Sequence, residues 1–329
     1  MNAEIEHLYN VKSVDDLICF PYYFRLKDGT ICHTVSEHCY EAGKIIGIPK
    51  YFQTKTTVSE SRIINGNNYV RNNSIEESIL YSKLFTNIQV NHVKRFGEEI
   101  CLFDVSEIDE IYNPFDKAKE LYQYEGTETI FKDTKLIIDI IINELGINLE
   151  DIGIEGSILI GGYRTESDID IVIKGIESVR KLQENFHLLK DNRFINLYDE
   201  SDLRLIFSRR KKYASFDTLE EMLQQECNRT VGLINGRRFW MQPILGNNLL
   251  EMQENRRLYK IEYYHSNAEV IDAEKAFLWP SFYTIHDKHY GKVKVECYDP
   301  VYMNQVKKGE QVCSTTKSRS SKSNFLADN

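Results

Sequence analysis

Two aspartates, Asp168 and Asp170, alternate with Ile169, Ile171 and Ile173 in the run SDIDIVIKG. A strand's period of two places both carboxylates on one face and the isoleucines on the other. Two anions about 6–7 Å apart on one face repel unless solvent or a cation screens them. Oxygen-only ligands of this kind suit Mg²⁺ or Mn²⁺. An Asp-x-Asp pair on an amphipathic strand is usually no more than a solvated outer face, so the neighbouring sequence has to decide. Gly156-Ser157 lies eleven residues before Asp168, between a strand-like and a short helix-like segment. Glycine there allows close backbone approach, and exposed N–H groups can receive phosphate, although such a pair alone is only a turn. Asp202 follows Asp170 by thirty-two residues, on the strand-like run SDLRLIF. If that strand neighbours the first, a third carboxylate joins the pair and completes a site for two metals. Arg209-Arg210-Lys211-Lys212 closes the same run, either as charge for polyphosphate or a nucleic-acid backbone or as a solvated loop.

The elements that must position these residues can be read from periodicity. Through about residue 105 the chain reads as short strands and turns, with Asp28-Gly29 and Asn65-Gly66-Asn67-Asn68 as hairpin signals. From Asp116 the period changes, and Thr134 to Leu145 is apolar at helical intervals with Gly146 as the expected C-cap. Residues 151 to 210 alternate strand-like and helix-like segments, the pattern of a domain with a central sheet. Beyond about 228, RRFWMQPIL, SFYTIHD and KVKVECYD return to strand texture, before a polar Ser/Lys-rich end expected to be disordered.

The 329 residues allow two or three modest domains. An apolar fraction of 42% and a charged fraction of 28% exclude a wholly disordered, collagenous or disulfide-scaffold chain. The formal charge of −9 argues against a nonspecific coat for nucleic acid, though not against a local basic surface. No run approaches the roughly 18 uncharged apolar residues of a membrane helix, and acids stand where a signal peptide carries bases, so a cytoplasmic protein without a membrane partner is expected. Seven thinly spread cysteines predict free buried thiols. Cys32-His33 and His38-Cys39 hold zinc-ligand types, but adjacent residues of a strand point to opposite faces and the spacing fits no common finger. Tyr22-Tyr23-Phe24, Tyr51-Phe52, Phe239-Trp240, Tyr263-Tyr264 and Trp279 are read mainly as core packing, with base stacking the lesser alternative. Gly161-Gly162 matches no dinucleotide fingerprint and no phosphate-loop lysine follows it.

Gly156-Ser157, then Ser167-Asp168-Ile169-Asp170-Ile171-Val172, then Asp202-Leu203-Arg204-Leu205-Ile206 together resemble the active-site signature of the DNA polymerase β-type nucleotidyltransferase superfamily. That signature is a Gly-Ser helix-turn, an Asp-apolar-Asp strand and a later single Asp on a neighbouring strand, and here it covers about residues 150 to 210. More loosely, the whole chain is similar to archaeal-type predicted nucleotidyltransferases of unassigned function, which also carry β-rich segments before and after the catalytic domain. The resemblance implies an α+β fold with a small polymerase β-like domain, a mixed sheet with helices, at 111–225. It would be flanked by β-rich regions at 1–110 and 226–313, with a polar tail at 314–329.

The same resemblance implies a metal-dependent enzyme that transfers a nucleoside monophosphate from an NTP, with ATP the expected donor, to a hydroxyl acceptor. Asp168, Asp170 and Asp202 would be the catalytic metal ligands for Mg²⁺ or Mn²⁺. Gly156 and Ser157 would meet the β- and γ-phosphates. Many small members carry a basic residue directly after the Gly-Ser pair, where this chain has Ile158. Phosphate charge would then fall to Arg164, Arg204 or the 209–212 run. RNA ends, another nucleotide, a small molecule and a protein side chain all stay open as acceptors. The competing expectation is a catalytically weak nucleotide- or RNA-binding regulatory module, of the kind found in defence or toxin–antitoxin systems.

Overall fold

The computed structural model describes residues 20–35, 40–41, 43–55, 61–72, 75–86, 88–93, 98–198, 201, 204, 229–246, 258–259, 267–297, 303–313 and 324–327. They form a mixed α+β, strand-rich fold. The chain divides into two compact units, one of Met1–Gln123, Gly153–Ser167 and Gly246–Met252, the other of Tyr124–Ile152, Asp168–Leu245 and Gln253–Asn329.

The first unit is built on one sheet. Its strands are β1 (Tyr23–Leu26), β2 (Ile31–Thr34), β3 (Tyr40–Glu41), β4 (Lys44–Thr54), β5 (Arg62–Ile64), β6 (Asn67–Arg71), β7 (Gln89–Val93), β8 (Glu98–Phe103) and β9 (Ile108–Tyr112). The order is β5-β6-β4-β2-β1-β9, with β3 and β8 also on β4, and β7 on β8. Helices α1 (Ile75–Phe85) and α2 (Pro114–Tyr122) belong to the same unit. Both expected turns are present. Asp28 Oδ1 accepts the Thr30 N–H (2.8 Å) while Gly29 adopts φ +91°, and Asn65-Gly66 has φ +48° and +79°, the left-handed pair a type I′ turn requires. Neighbours on β1 and β2 serve opposite faces: Tyr23 and Ile31 pack with Tyr51, Ile64 and Tyr69, whereas Phe24 and Cys32 pack with Ile45, Cys101 and Phe103. Burial of both faces explains why these strands read as nearly continuous apolar runs.

The second unit opens with α3 (Thr129–Leu145), which buries Ile130, Ile137, Ile138, Ile141 and Leu145 along one stripe and ends on Gly146 at φ +69°, as its periodicity predicts. In chain order β10 (Ile152–Ile154) and α4 (Gly156–Leu159) follow, with residues 153–167 belonging to the first unit, and the second unit resumes with β11 (Ile169–Lys174), α5 (Ile176–Asn185), β12 (Ile195–Asn196), β13 (Val231–Ile234) and β14 (Arg237–Ile244). Within this unit β14 pairs in parallel with β11 and antiparallel with β13, which pairs with β12. Strands β15 (Leu258–Tyr259), β16 (Asn267–Lys275), β17 (Ser281–Asp287), β18 (Gly291–Cys297), β19 (Gln311–Cys313) and β20 (Asn324–Ala327) make a further sheet in the order β15-β20-β18-β17-β16-β19. In the segment expected as a polar tail, Asn324–Ala327 thus forms a strand, paired with β18 and β15. Ser201 and Arg204, the two described residues of SDLRLIF, have helical backbone where a strand was expected. A short apolar run does not by its period distinguish a strand from a turn of buried helix.

One buried ion pair ties α3 to the β13–β14 hairpin. Asp133 is 4% exposed and accepts from Arg237 Nε (2.9 Å) and from Asn235 Nδ2 (2.9 Å). Asn235-Gly236 forms the hairpin turn with φ +49° and +81°. Truncating one partner of such a pair leaves a charge without compensation in the interior. Arg237→Ala is expected to cost about 3 kcal/mol, the low end for a buried pair because Asn235 stays in place. Urea unfolding reads this as a lower midpoint at unchanged slope, and an unchanged midpoint would show the pair to be dispensable.

Candidate functional site

Strand β11 separates its two faces as its alternation predicts. Ile169, Ile171 and Ile173 are fully buried, whereas Asp168, just before the strand, and Asp170 are half-exposed. The parallel register with β14 sets Phe239 beside Ile169, Trp240 beside Asp170, Met241 beside Ile171 and Gln242 beside Val172. Phe239 and Met241 therefore share the isoleucine face, and Arg238, Trp240 and Gln242 share the carboxylate face. The two adjacent arginines of β14 each meet an aspartate, on opposite faces: Arg237 reaches Asp133 of α3, and Arg238 Nη1 donates to Asp168 Oδ2 at 2.9 Å. The second pair is more open, with side-chain exposures of 26% for Arg238 and 43% for Asp168.

Beyond the ion pair the face carries aromatic and amide groups. The Arg229 guanidinium, on a residue 8% exposed, lies 4.6 Å from the centre of the Trp240 ring, a cation–π geometry. Trp240 Nε1 and Gln242 Nε2 are buried donors with no hydrogen-bond partner among the described residues, and Gln242 is 3% exposed. Buried donors are normally satisfied, so two unsatisfied ones in the interior beside the carboxylate pair are an unusual feature of this face.

The remaining residues of the signature divide between the two units. Gly156, Ser157 and Arg164 belong to the first unit, Asp168, Asp170 and Arg204 to the second, and the division falls at the Ser167–Asp168 bond. Gly156 adopts φ +67°, which favours glycine whatever its chemistry. The α4 turn ends in a Schellman motif: Gly161, at φ +72°, donates to Ile158 O (3.3 Å) and Gly162 donates to Ser157 O (2.9 Å). A Cβ on Gly162 would stand 3.0 Å from Ile64 Cγ1, so the Gly161-Gly162 pair is explained by chain geometry and packing. Leu159 and Ile160 then join the Tyr23–Tyr69 core cluster. Arg164 spends its Nη2 on Ser61 O (2.9 Å), and its N–H on Ser167 Oγ (2.8 Å). Arg204 is exposed. Asp202 and the basic run 209–212 lie outside the described residues, as do His38, Cys39 and Tyr263-Tyr264.

No group of three or more His, Cys, Asp or Glu side chains capable of holding a metal occurs among the described residues. Two half-exposed carboxylates with oxygen donors alone nonetheless fit Mg²⁺, which is commonly held by one or two protein carboxylates together with substrate phosphates and water. The zinc alternative finds no support in its described half. His33 stacks on Tyr23 (5.4 Å between ring centres), and burial, helped by the Lys50 charge, pushes its imidazole down to about 3. Cys32 faces the Phe24–Phe103 cluster, and it, Cys101 and Cys297 are buried and form no disulfide among the described residues. Tyr23, Phe24, Tyr51, Phe52 and Phe239 are likewise core residues.

Comparison of the chain with protein-family models, curated proteins and solved structures finds no match. Sequence reasoning missed Arg238, Arg229 and Gln242 as neighbours of the carboxylates. The alternation Arg238-Trp240-Gln242 in RRFWMQPIL was the available signal, but only the parallel pairing shows which strand it faces. Gln242→Met removes an unsatisfied buried donor at nearly constant volume, and is expected to raise stability by about 1 kcal/mol. Chemical denaturation measures this, and a loss of stability instead would show that the amide has a structural partner.

Proposed function

We propose that the chain is a metal-dependent nucleotidyltransferase that moves a nucleoside monophosphate from an NTP, with ATP as donor, to a hydroxyl. The observation that carries this reading is the carboxylate pair itself: Asp168 and Asp170 stand half-exposed on one face of a strand whose other face is fully buried. A scaffold gains nothing from two like charges held side by side, whereas a cation site needs them.

In this reading Asp168 and Asp170 bind Mg²⁺ or Mn²⁺, and the sequence signature adds Asp202 as third ligand. The metal, when bound, supplies positive charge to the triphosphate and lowers the pKa of the attacking hydroxyl. The acceptor oxygen attacks the α-phosphorus in line, a new P–O bond forms, the bond to the bridging oxygen breaks, and pyrophosphate leaves. The signature gives the proton to Asp202, with Arg204 as a phosphate contact. Arg238 holds Asp168 in a defined orientation and neutralises half of the pair's charge. The acceptor is an RNA end, a nucleotide, a small molecule or a protein side chain.

One observation favours a second reading, a nucleotide- or RNA-binding regulatory module. In register with Asp170 the adjoining strand presents Trp240, and the preceding same-face residue is Arg238, already paired with Asp168. A cation supplied by the protein lessens the need for a metal.

The test is a thermal-shift panel of the four NTPs and dNTPs, with and without Mg²⁺ or Mn²⁺, on wild type and Asp170→Asn. Metal-dependent stabilisation by one triphosphate, lost in the variant, is expected, and at 100 times Kd it amounts to ~2.7 kcal/mol. Equal stabilisation without metal or in the variant would favour the module, and no shift with any nucleotide would count against the transferase and leave the RNA-binding module.

A further inference from the structure

The turn between β17 and β18, in the second unit, gathers cationic and aromatic side chains at the surface. Its sequence, HDKHYGKVK, sets Lys288, Lys292 and Lys294 with His286 and His289 against Asp287 as the one acid, in a chain whose formal charge is −9. His286, Lys288, His289 and Lys292 are exposed. Tyr290 is 51% exposed, the only aromatic among the exposed large hydrophobic side chains of the described residues.

The shape of the turn is fixed from beneath. Asp287 is 1% exposed, and its Oδ1 accepts the N–H groups of His289 (2.6 Å) and Tyr290 (2.8 Å). The acid is thus turned inward and engaged with the backbone that presents its basic and aromatic neighbours. Its register partner Gly291 closes the turn at φ +71°, a conformation that favours glycine. On the inward face Ile285 and Val293 pack with Ala268 and Val270. The pleat therefore sends the cross-strand pair His286 and Lys292 outward, and Lys294 with them. Glu269 of β16, also exposed, stands beside His286, so the cationic surface is bounded on that side and centred on the turn itself.

The aromatic component is the independent observation. The Tyr290 and His289 rings meet edge to face, with centres 5.6 Å apart and planes at 78°, so they are not stacked on each other. An exposed ring on a backbone held by two hydrogen bonds is a ready platform for a flat partner. Lysines meet phosphates of any nucleic acid, whereas stacking on a side chain requires a base that is not already stacked in a duplex. An acidic peptide answers the lysines and makes no use of the ring, and a lipid surface requires a broader apolar face than one tyrosine provides.

We propose that the β17–β18 turn binds single-stranded nucleic acid, with Lys288 and Lys292 on phosphates and an unpaired base stacked on Tyr290. The surface uses neither the carboxylate pair nor a metal, so it stands whether or not the chain transfers nucleotides. RNA and DNA strands offer the same phosphates and bases to it, and the probes separate them.

Fluorescence anisotropy on the full chain decides the matter, in EDTA so that metal-dependent binding at the carboxylate pair does not contribute. The probes are labelled oligo(rU) and oligo(dT) of about 12 nucleotides, within the site sizes of single-strand binders, and an RNA duplex of equal length. Saturable binding of a single strand is expected, and a fourfold rise in salt should weaken it about sevenfold, as two phosphate contacts imply. Lys288→Glu/Lys292→Glu should weaken binding about tenfold or more and remove most of that salt dependence. Tyr290→Ala should weaken it about fivefold or more, while Tyr290→Phe, which keeps the ring, binds as wild type. Tighter binding of one strand names RNA or DNA as the source, and equal binding supports the shared chemistry. Absence of saturable binding by either strand, or equally tight binding of the duplex, overturns the proposal without recourse to a variant. Tighter binding of polyglutamate or of phosphatidylserine vesicles overturns it in favour of an acidic protein or a membrane. Unchanged affinity in both the double variant and Tyr290→Ala, each folded by circular dichroism, overturns it as well.

Discussion

Two carboxylates two residues apart on one face of a strand must find positive charge, water or a proton, and the second unit is arranged around that requirement. The face is not free to turn over, because Ile169, Ile171 and Ile173 are fully buried on its reverse. A one-residue slip of β11 would bury both charges and expose three isoleucines. The carboxylates are thus held where they stand by the apolar burial of their neighbours, and the local repulsion is an imposed condition.

The hairpin of β13 and β14 answers part of that charge. Arg237 and Arg238 are consecutive, so the pleat sends them to opposite faces, and each meets an aspartate there. The Arg237–Asp133 pair is buried against α3 and fixes the hairpin turn through Asn235, whereas the Arg238–Asp168 pair is part-exposed and open to exchange. Removing the first leaves an interior charge uncompensated, and removing the second returns Asp168 to solvent. The first is structural, and the second is the pair that the proposed cation would meet. Trp240 and Gln242 lie on that same face with buried donors that have no partner among the described residues.

Local chemistry was legible in the sequence. Asp28-Gly29, Asn65-Gly66 and Asn235-Gly236 announce their turns because each needs positive φ, and Gly146 announces the end of α3 for the same reason. The division of β11 into a charged and an apolar face follows from its alternation alone. What escaped the sequence depends on long-range pairing: that β14 lies parallel to β11, and that Arg238 adjoins Asp168. SDLRLIF shows the limit most directly, since an apolar run of that length suits either period, and its described residues are helical.

The carboxylate face as a cation and nucleotide site is the central claim, and Mn²⁺ electron paramagnetic resonance tests it most directly. Relative to Mn²⁺ with ATP alone, the free-Mn²⁺ signal is expected to fall further on addition of protein, to stay at the ATP-alone level with an Asp168→Asn/Asp170→Asn double variant, and to fall further still with Arg238→Ala, which removes the competing cation. A signal at the ATP-alone level with wild type, or the same extra depletion in the double variant, would contradict the account.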